Sequence, residues 1–523
     1  MPASKGSPLS LTADLLLHNA RVITLDQSRP KAAMVVIKGN RILRVGREED
    51  VESFKGVKTR VIDCQGKTIV PGFNDAHCHP IGLAASLLSV DCTPSSVRSI
   101  AELQAKIRQR AEQTPKGKWI RATGYDEFYL AEKRHPNRWD LDKAATHHPV
   151  KLSHRSGHAC VLNSLALKLL GISGETPEPP GGIIERDLET GEPNGLLFEM
   201  DPCVEKSLPP LSEEELERGI ELANEEFLSY GITSLQDATW SDGLKRWQIL
   251  RGFKEREKLA PRVSMMIGAD ELWEFEERGL STGSGDSQLR LGGVKVVLHI
   301  TTGCLNPPQE ELNQLVQKAH QAGFQLALHA VEENTVEAAI TALECALCQV
   351  PKPDHRHRLE HCSVCPPHLA QRLKDMRAIV VTQPSFIYYS GERYLATVSL
   401  NDLDWLYAIG SLLASGVKVA ASSDAPVVPS NPLVGIYAAV TRATETGQTL
   451  LPQEGISRLE ALKMYTLEAA YASFEEGVKG CLTPGRLADL AVLSDDPTKV
   501  PPEEIKEIEV VMTIVDGKVV WQK

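Results

Sequence analysis

Eight short apolar runs that alternate with amphipathic stretches constrain the fold of this 523-residue chain most strongly. The runs cover residues 68–73, 232–236, 262–267, 294–298, 325–328, 357–359, 379–382 and 417–421. Helical patterns such as residues 310–322 and 333–347 lie between them. Alternating strands and helices are typical of parallel βα units. Eight units in series predict an α/β fold, a (β/α)₈ TIM-like barrel.

The two ends of the chain have a different, β-rich character. Residues 15–25, 32–38 and 41–45 read as strands, as do residues 488–493 and 510–521. Turn residues at 39–40 and 516–517 predict two hairpins. We therefore expect residues 1–69 and 478–523 to form a small composite β-sandwich domain, and residues 70–477 to form the barrel.

The distance along the chain between the first and second runs is too long for a barrel connection. Residues from about 90 to 220 therefore predict a large insertion after the first barrel strand. This segment has strand-like runs of its own at residues 119–125 and 150–153, and a stretch rich in glycine and proline at residues 174–182.

Composition excludes several classes of function. Hydrophobic residues make up 42% and charged residues 24%, which is typical of a soluble globular protein. The net charge is -12 and lysine and arginine are scattered, which argues against a nucleic-acid partner. No apolar run is long enough to span a membrane, and residues 1–6 lack the apolar core of a signal peptide. We expect a cytoplasmic protein whose eleven cysteines are mostly free thiols.

A histidine pair follows the first apolar run. His77 and His79 flank Cys78, and a strand places alternate side chains on one face, so both imidazoles should point the same way. Two such rings can bind one divalent metal ion. By itself the pair is weak evidence, because ordinary surface or core histidines have the same spacing.

Three further ligand-type residues each follow a later apolar run: His329, His361 and Asp424. The C-terminal ends of barrel strands are where barrel active sites lie. Each residue alone could be a satisfied core histidine or a helix-capping aspartate. Because all of them occur in step with the strands, they predict a shared metal centre.

The motifs resemble those of the amidohydrolase superfamily. The segment PGFNDAHCH at residues 71–79, a lysine on strand four, histidines on strands five and six and Ser-Asp on strand eight form its pattern. Residues 466–480 and 482–490 resemble the return of that family's chain into the β-domain. Residues 156–158 (SGH), 163–164 and 181–187 (GGIIERD) are similar to the insertion of its family 3 branch.

The resemblance implies a role for Lys295 on strand four. In related enzymes this lysine is carboxylated and bridges two metal ions, which removes the positive charge of a buried amine. The alternative is that Lys295 stays an amine that contacts substrate or structure. His299 and Ile300 replace the Asp-Gly of many relatives, so His299 is either an extra ligand or a substrate contact.

The resemblance also implies a reaction, the hydrolysis of an amide-like C–N bond in a small-molecule substrate. His77, His79 and Asp424 would hold one divalent ion, and His329 and His361 a second. Zn²⁺ is the expected metal, although Fe, Mn or Ni suit the same ligands.

Two residues would act on the substrate. Asp424 would accept a proton from the attacking water and pass it to the leaving nitrogen. His158 in the insertion would stabilise the oxyanion or bind substrate, and a purely structural role for it stays open. Two other functions also remain open: a scaffold that has lost its metals, and a metal-dependent deaminase, isomerase or lyase. No motif decides whether the chain forms a homo-oligomer.

Overall fold

A parallel eight-stranded sheet forms the centre of the molecule. The computed structural model describes residues 12–523. The strands of this sheet are β1 Phe73–Cys78, β2 Ile232–Asp237, β3 Arg262–Gly268, β4 Leu289–Val297, β5 Leu326–Ala330, β6 Arg358–His361, β7 Ile379–Thr382 and β8 Lys418–Ala421. They are hydrogen-bonded in sequential order from β1 to β8. The backbone N–H of Asp424 donates to the carbonyl oxygen of His77 at 2.8 Å, which joins the two ends of the sheet. The predicted (β/α)₈ barrel is confirmed.

Helices connect and follow the barrel strands. The α-helices outside the insertion are Pro80–Leu88, Glu213–Ser229, Leu244–Glu255, Leu272–Glu276, Gln309–Gln321, Glu333–Gln349, Pro367–Met376, Ser385–Thr397, Leu400–Leu403, Ile409–Ser415, Pro432–Thr441, Arg458–Met464 and Leu467–Ala472. Short 3₁₀ helices cover Glu48–Phe54, Ala269–Glu271, Pro452–Glu454 and Pro502–Glu507. Helix Glu213–Ser229 begins with a capping box in which Ser212 and Glu215 each accept the other's backbone N–H.

The predicted position of the first barrel strand, residues 68–73, was wrong. Residues 68–71 form strand Thr68–Pro71, which pairs with Leu490–Leu493 of the β-domain, and the barrel strand begins only at Phe73. Gly72 separates the two. A Cβ atom on Gly72 would lie 2.2 Å from Oγ1 of Thr233, so only glycine fits where the chain crosses between the two sheets.

Strand β4 is longer than its sequence pattern indicates. It begins at Leu289 rather than 294, and it passes through Gly292 and Gly293. A Cβ atom on Gly293 would lie 2.8 Å from the carbonyl oxygen of Gln325, so glycine allows β4 and β5 to approach closely. Because glycine is rare in strands, the pattern alone did not extend the strand across this pair.

Two sheets form the predicted β-sandwich. The four-stranded sheet comes from the N-terminal segment alone, and the six-stranded sheet combines strands from both chain ends. One has the order Arg41–Gly46, Met34–Lys38, Leu15–His18, Arg60–Asp63. The other has the order Lys518–Gln522, Val510–Val515, Leu490–Leu493, Thr68–Pro71, Arg21–Ile23, Lys31–Ala32. Side chains from both sheets share one apolar core. Both predicted hairpins are present, and Gly39, Asp516 and Gly517 have positive φ angles in their turns.

The insertion folds around a six-stranded sheet of its own. Its order is Ile183–Arg186, Pro193–Phe198, Ala159–Leu162, Val150–His154, Ile120–Tyr125, Val90–Asp91. Helices Ile100–Gln113, Arg138–Asp142, Ser164–Leu170 and Asp201–Ser207 complete it. Apolar clusters separate from the barrel core lie within this unit. The insertion therefore carries its own core and presents the loop of His158 to the barrel.

Two further sequence expectations concern the membrane and the cysteines. Within residues 12–523, no helix has the length and apolar character needed to cross a membrane. All eleven cysteines lie in the described part of the chain, and no disulfide joins them there.

Candidate metal centre

Side chains from β1, β6 and the end of β8 meet at the C-terminal mouth of the barrel. The ligand atoms of His77, His361 and Asp424 all lie within 4.8 Å of one another, and the three residues are buried. Oδ1 of Asp424 is 3.4 Å from Nε2 of His77 and 3.0 Å from Nε2 of His79. Three residues predicted from sequence as ligands therefore converge, and His79, a fourth, lies beside them against Asp424.

The other two predicted ligands border the same cluster. The ring of His329 lies 4.3 Å from that of His361. Nζ of Lys295 lies 3.2 Å from Nε2 of His77. The ring of His361 is also 4.9 Å from that of His77, so His361 is adjacent to both His77 and His329.

A buried carboxylate fixes the orientation of His77. Nδ1 of His77 lies 2.5 Å from Oε2 of Glu360, and the same oxygen accepts from Nη2 of Arg358 at 2.9 Å. The charge of Arg358 balances that of Glu360, so the carboxylate stays an acceptor for the Nδ1–H of His77. Nε2 of His77 is then the unprotonated nitrogen, and it faces the centre, 3.2 Å from Nζ of Lys295.

The same arrangement recurs at His79. Nδ1 of His79 lies 2.9 Å from Oγ1 of Thr239, and that hydroxyl lies 2.7 Å from Oδ1 of Asp237. Because the hydroxyl has a single proton, which it donates to Asp237, it accepts from His79. Nε2 of His79 is left as the nitrogen that faces Asp424.

His361 is oriented by an amide. Nδ1 of His361 lies 2.8 Å from Oε1 of Gln383, and Nε2 of Gln383 donates to Oγ of Ser422 at 3.0 Å. The amide oxygen accepts the Nδ1–H, so Nε2 of His361 again faces the centre. Burial lowers the pKa of His361 to about 4, which keeps the ring neutral at physiological pH.

Asp424 is held in an unfavourable backbone conformation. Its φ is 60°, and His361 has a φ of 67°. Non-glycine residues in this region are strained and are common at functional sites. Burial raises the pKa of Asp424, but the charge of His77 and the hydrogen bond of His79, which these rings supply when protonated, outweigh that effect and hold the pKa well below its usual range. Asp424 is therefore a carboxylate.

Lys295 is a buried amine among these groups. Burial lowers the pKa of Lys295 to about 8, although Glu360 and Asp424 act in the opposite direction. A substantial fraction of the side chain is therefore neutral near physiological pH. A neutral amine is the form that can react with CO₂.

The insertion contributes His158. Its Nδ1 lies 3.1 Å from Oε2 of Glu199, and its ring lies 5.5 Å from that of His329. His299 lies in the segment that follows β4. Its Nε2 accepts from Nδ2 of Asn306 at 2.8 Å, so that nitrogen is not free to be a metal ligand.

A second group of possible ligands lies within the insertion, formed by Asp126, Glu127 and His154. The backbone N–H of Ser156 donates to Nδ1 of His154 at 3.1 Å. Nε2 of His154 lies 2.9 Å from Oε2 of Glu127, although neither atom makes a hydrogen bond within the described residues. Arg393 lies 3.1 Å from the other oxygen of Glu127. Arg155 and Arg393 pair with the two carboxylates, so cationic charge is already supplied to this group by the chain itself.

Sequence reasoning missed the residues that orient the ligands. Glu360 and Arg358 alternate along β6, and both are buried. Buried charges in a strand that is otherwise apolar need partners, so they could have been recognised as part of a site. Gln383 lies near a predicted strand end, which could have marked it as a pocket residue, whereas the contacts of Thr239 and Glu199 had no comparable signal.

The donor set fits a divalent metal ion. Imidazoles with free Nε2 atoms and a carboxylate are ligands that Zn²⁺ and similar ions prefer. The predicted ligands occupy the ends of strands at one mouth of the barrel, which is the position of catalytic sites in this fold.

Comparisons with known proteins agree with the geometry. The sequence model of the amidohydrolase family matches residues 60–521. The chain belongs to this family. The amidohydrolase is 30% identical to the N-substituted formamide deformylase of Arthrobacter pascens, over 98% of both chains. It is 28% identical to Protein LONG AFTER FAR-RED 3 of Arabidopsis thaliana, over 98% of this chain and 92% of that one.

A solved structure supports the same assignment. An uncharacterised metal-dependent hydrolase from Pyrococcus furiosus matches with a TM-score of 0.72 and 26% identity. The match covers 93% of this amidohydrolase and 100% of that chain. The protein is thus a metal-dependent hydrolase that acts on carbon–nitrogen bonds other than peptide bonds.

Proposed function

We propose that this amidohydrolase cleaves the C–N bond of a small N-substituted amide, of which an N-substituted formamide is the first candidate. The observation that carries the proposal is the convergence of His77, His361 and Asp424 within 4.8 Å at the barrel mouth. The similarity to a formamide deformylase along nearly the whole chain supports the substrate class.

The residues proposed to hold the metal are His77, His79, Lys295, His329, His361 and Asp424. We propose Zn²⁺, in one or two ions, because imidazole and carboxylate ligands suit it. When bound, the metal lowers the pKa of water towards neutrality and polarises a substrate carbonyl. The neutral nitrogen of Lys295 can bond to the carbon of CO₂ and release a proton, which would leave an anionic carbamate able to hold the metal together with the histidines.

Asp424 is proposed as the general base and acid. Its pKa is held low, so the carboxylate is ready to accept a proton from the attacking water. The same oxygen can then deliver that proton to the nitrogen of the departing amine. Its place at the end of β8, beside His77 and His79, keeps the carboxylate directed at the reacting atoms.

His158 is proposed to donate to the carbonyl oxygen of the substrate. Burial lowers the pKa of His158, but the hydrogen bond and charge of Glu199 outweigh it and raise the pKa above its ordinary value. Protonated His158 can give one N–H to Glu199 and the other to the oxygen on which negative charge develops. Fixed donors of this kind stabilise the transition state.

The test is a comparison of wild type with Asp424→Asn on a panel of N-substituted formamides, N-acyl amino acids and cyclic amides. Amine and carboxylate products are measured together with the bound metal. Asparagine tolerates a positive φ, so the fold should persist. We expect turnover to fall by at least about 100-fold in Asp424→Asn, while Asp375→Asn, an exposed control, keeps full activity.

Other outcomes would favour the rival functions. Release of ammonia without a carboxylate product would indicate a deaminase. A rearranged or eliminated product without uptake of water would indicate an isomerase or a lyase. Purified wild type without a transition metal and without turnover would indicate a scaffold.

A further inference from the structure

The strand ladder of the insertion brings His158 and Glu199 together. Strands Ala159–Leu162 and Pro193–Phe198 are antiparallel, with Ala159 opposite Phe198. His158 and Glu199 are the next pair, and the backbone N–H of Glu199 donates to the carbonyl oxygen of His158 at 2.9 Å. This backbone hydrogen bond holds the two residues side by side just beyond the paired strands. The contact between imidazole and carboxylate is thus built into the sheet.

Both carboxylate oxygens of Glu199 are used. Oε2 lies 3.1 Å from Nδ1 of His158. Oε1 accepts from Oγ1 of Thr301 at 3.0 Å. Thr301 lies in the loop that follows β4, the strand of Lys295, so Glu199 connects the insertion to the barrel at the mouth where the ligands converge.

The backbone at Glu199 is strained. Its φ is 53°, in the left-handed region that a residue with a Cβ atom rarely adopts. Backbone strain persists where surrounding contacts hold it, and it is common near functional groups. At Glu199 the strained backbone occurs together with the side-chain contacts to His158 and Thr301.

We propose that Glu199 is the positioning residue for His158. It accepts the Nδ1–H, so Nε2 is the nitrogen that His158 presents to the substrate, and the bond to Thr301 fixes the distance between that ring and the barrel mouth. The inference rests on the proposed role of His158, and it assigns to the insertion a second residue that supports the reaction.

A double-mutant cycle tests the proposal. The variants are His158→Asn, Glu199→Leu and the combination of both. Loss of one oxyanion donor lowers kcat by about 100- to 1,000-fold. We expect Glu199→Leu to lower kcat to a similar extent, while KM changes by less than about threefold. The kcat of the double variant should lie within about threefold of the kcat of His158→Asn. The proposal would be overturned if the fold-loss in kcat of the double variant equalled the product of the two single losses.

A conservative variant separates positioning from a general structural effect. Glutamine at 199 keeps an oxygen for the Nδ1–H but not the charge that favours the protonated ring. Glu199→Gln should therefore recover kcat to within about tenfold of wild type only as the pH is lowered. Glu185→Gln is the matched control, because it removes an exposed carboxylate from the same insertion sheet. It should match wild type. A kcat for Glu199→Gln as low as that of Glu199→Leu at every pH would contradict the proposal.

A crystal structure of Glu199→Leu gives a readout that does not depend on activity. The His158 ring should leave its position 5.5 Å from His329. An unchanged ring would overturn the role of Glu199 even if no substrate has been found. Wild-type kcat in His158→Asn would instead refute the proposed function of His158, while the ring position would still report on Glu199.

Discussion

Nδ1 of His77 and Oε2 of Glu360 lie 2.5 Å apart, and both side chains are buried. Glu360 immediately precedes His361 in sequence, so one strand end supplies a ligand-type histidine and the carboxylate that orients another. Arg358, two residues earlier on the same strand, neutralises that carboxylate. Metal binding at His77 should therefore depend on a residue that touches no metal.

Glu360→Gln should weaken metal binding by about 10- to 100-fold, because an amide is a weaker acceptor for the Nδ1–H of His77. The measurement is metal affinity by competition with a chelator. Glu475→Gln is the matched control, since Glu475 is also buried and pairs with a cation, Lys479, at 2.7 Å. It should lower the melting temperature without changing metal affinity. Unchanged affinity in Glu360→Gln would contradict the role of this contact.

Lys295 should form a carbamate. With a pKa of about 8, about half of the amine is neutral at pH 8, against less than about 1% of an ordinary lysine. Protein incubated with ¹³C-bicarbonate and Zn²⁺ should show one carbamate carbon by NMR, and Lys295→Met should lose it. Its persistence in Lys295→Met would place the carbamate elsewhere.

Lys254 provides the control for that experiment. Burial lowers the pKa of Lys254 to about 7, so it is also partly neutral. Its Nζ, however, donates to the carbonyl oxygens of Leu259, Ala260 and Pro261. An anionic carbamate there would face three acceptors and be repelled. Lys254→Met should keep the carbamate signal.

Sequence predicted the barrel and its ligand-type residues because both depend on local pattern. An apolar run followed by His329 or Asp424 marks the end of a strand, and parallel strands bring their ends to one mouth. The position of β1 was missed because Gly72 divides one continuous apolar run between two sheets. Nothing local distinguishes its two halves.

The orienting contacts could not be predicted in the same way. His77 and Glu360 are separated by 283 residues, and His158 and Glu199 by 41. Such pairs are set by barrel closure and by the register of the insertion sheet. The domain boundaries, the catalytic roles, the cytoplasmic location and the oligomeric state stay predictions.

Arg262→Met should destabilise the junction of barrel and β-domain. Arg262, at the start of β3, contacts Asp489 at 2.7 Å and Asp516 at 2.8 Å, and it is 2% exposed. Removing the cation leaves Asp489 buried without its partner, which should lower the free energy of unfolding by about 3–5 kcal/mol. Urea denaturation measures the loss.

The same change should spare the metal centre, because Arg262 lies at the end of β3 away from the mouth. Metal affinity is therefore expected to stay at the wild-type value. Combining Arg262→Met with Asp489→Asn should recover part of the stability, since the uncompensated charge is gone. No recovery would show that packing, rather than charge, holds this junction.

A chain of neutral imidazoles at the start of β5 and β6 should make the fold sensitive to acid. The backbone N–H of Leu326 donates to Nδ1 of His357 at 3.0 Å, and Nε2 of His357 lies 2.8 Å from Nδ1 of His320. His320 in turn donates from Nε2 to the carbonyl oxygen of Val350 at 2.7 Å. His357 therefore uses both ring nitrogens in the neutral state.

Burial lowers the pKa of His357 well below its ordinary value of 6.5, and His355 and His320 lower it further. Below pH 6.5 the unfolded chain binds a proton at this position while the folded chain does not, so stability falls as pH falls, by up to about 1.4 kcal/mol per pH unit. The urea midpoint should drop between pH 7 and pH 5. His357→Gln, which can still accept from Leu326, should show a shallower drop, whereas His368→Gln, at an exposed histidine, should keep the wild-type slope. Equal slopes in all three proteins would assign the acid sensitivity to other groups.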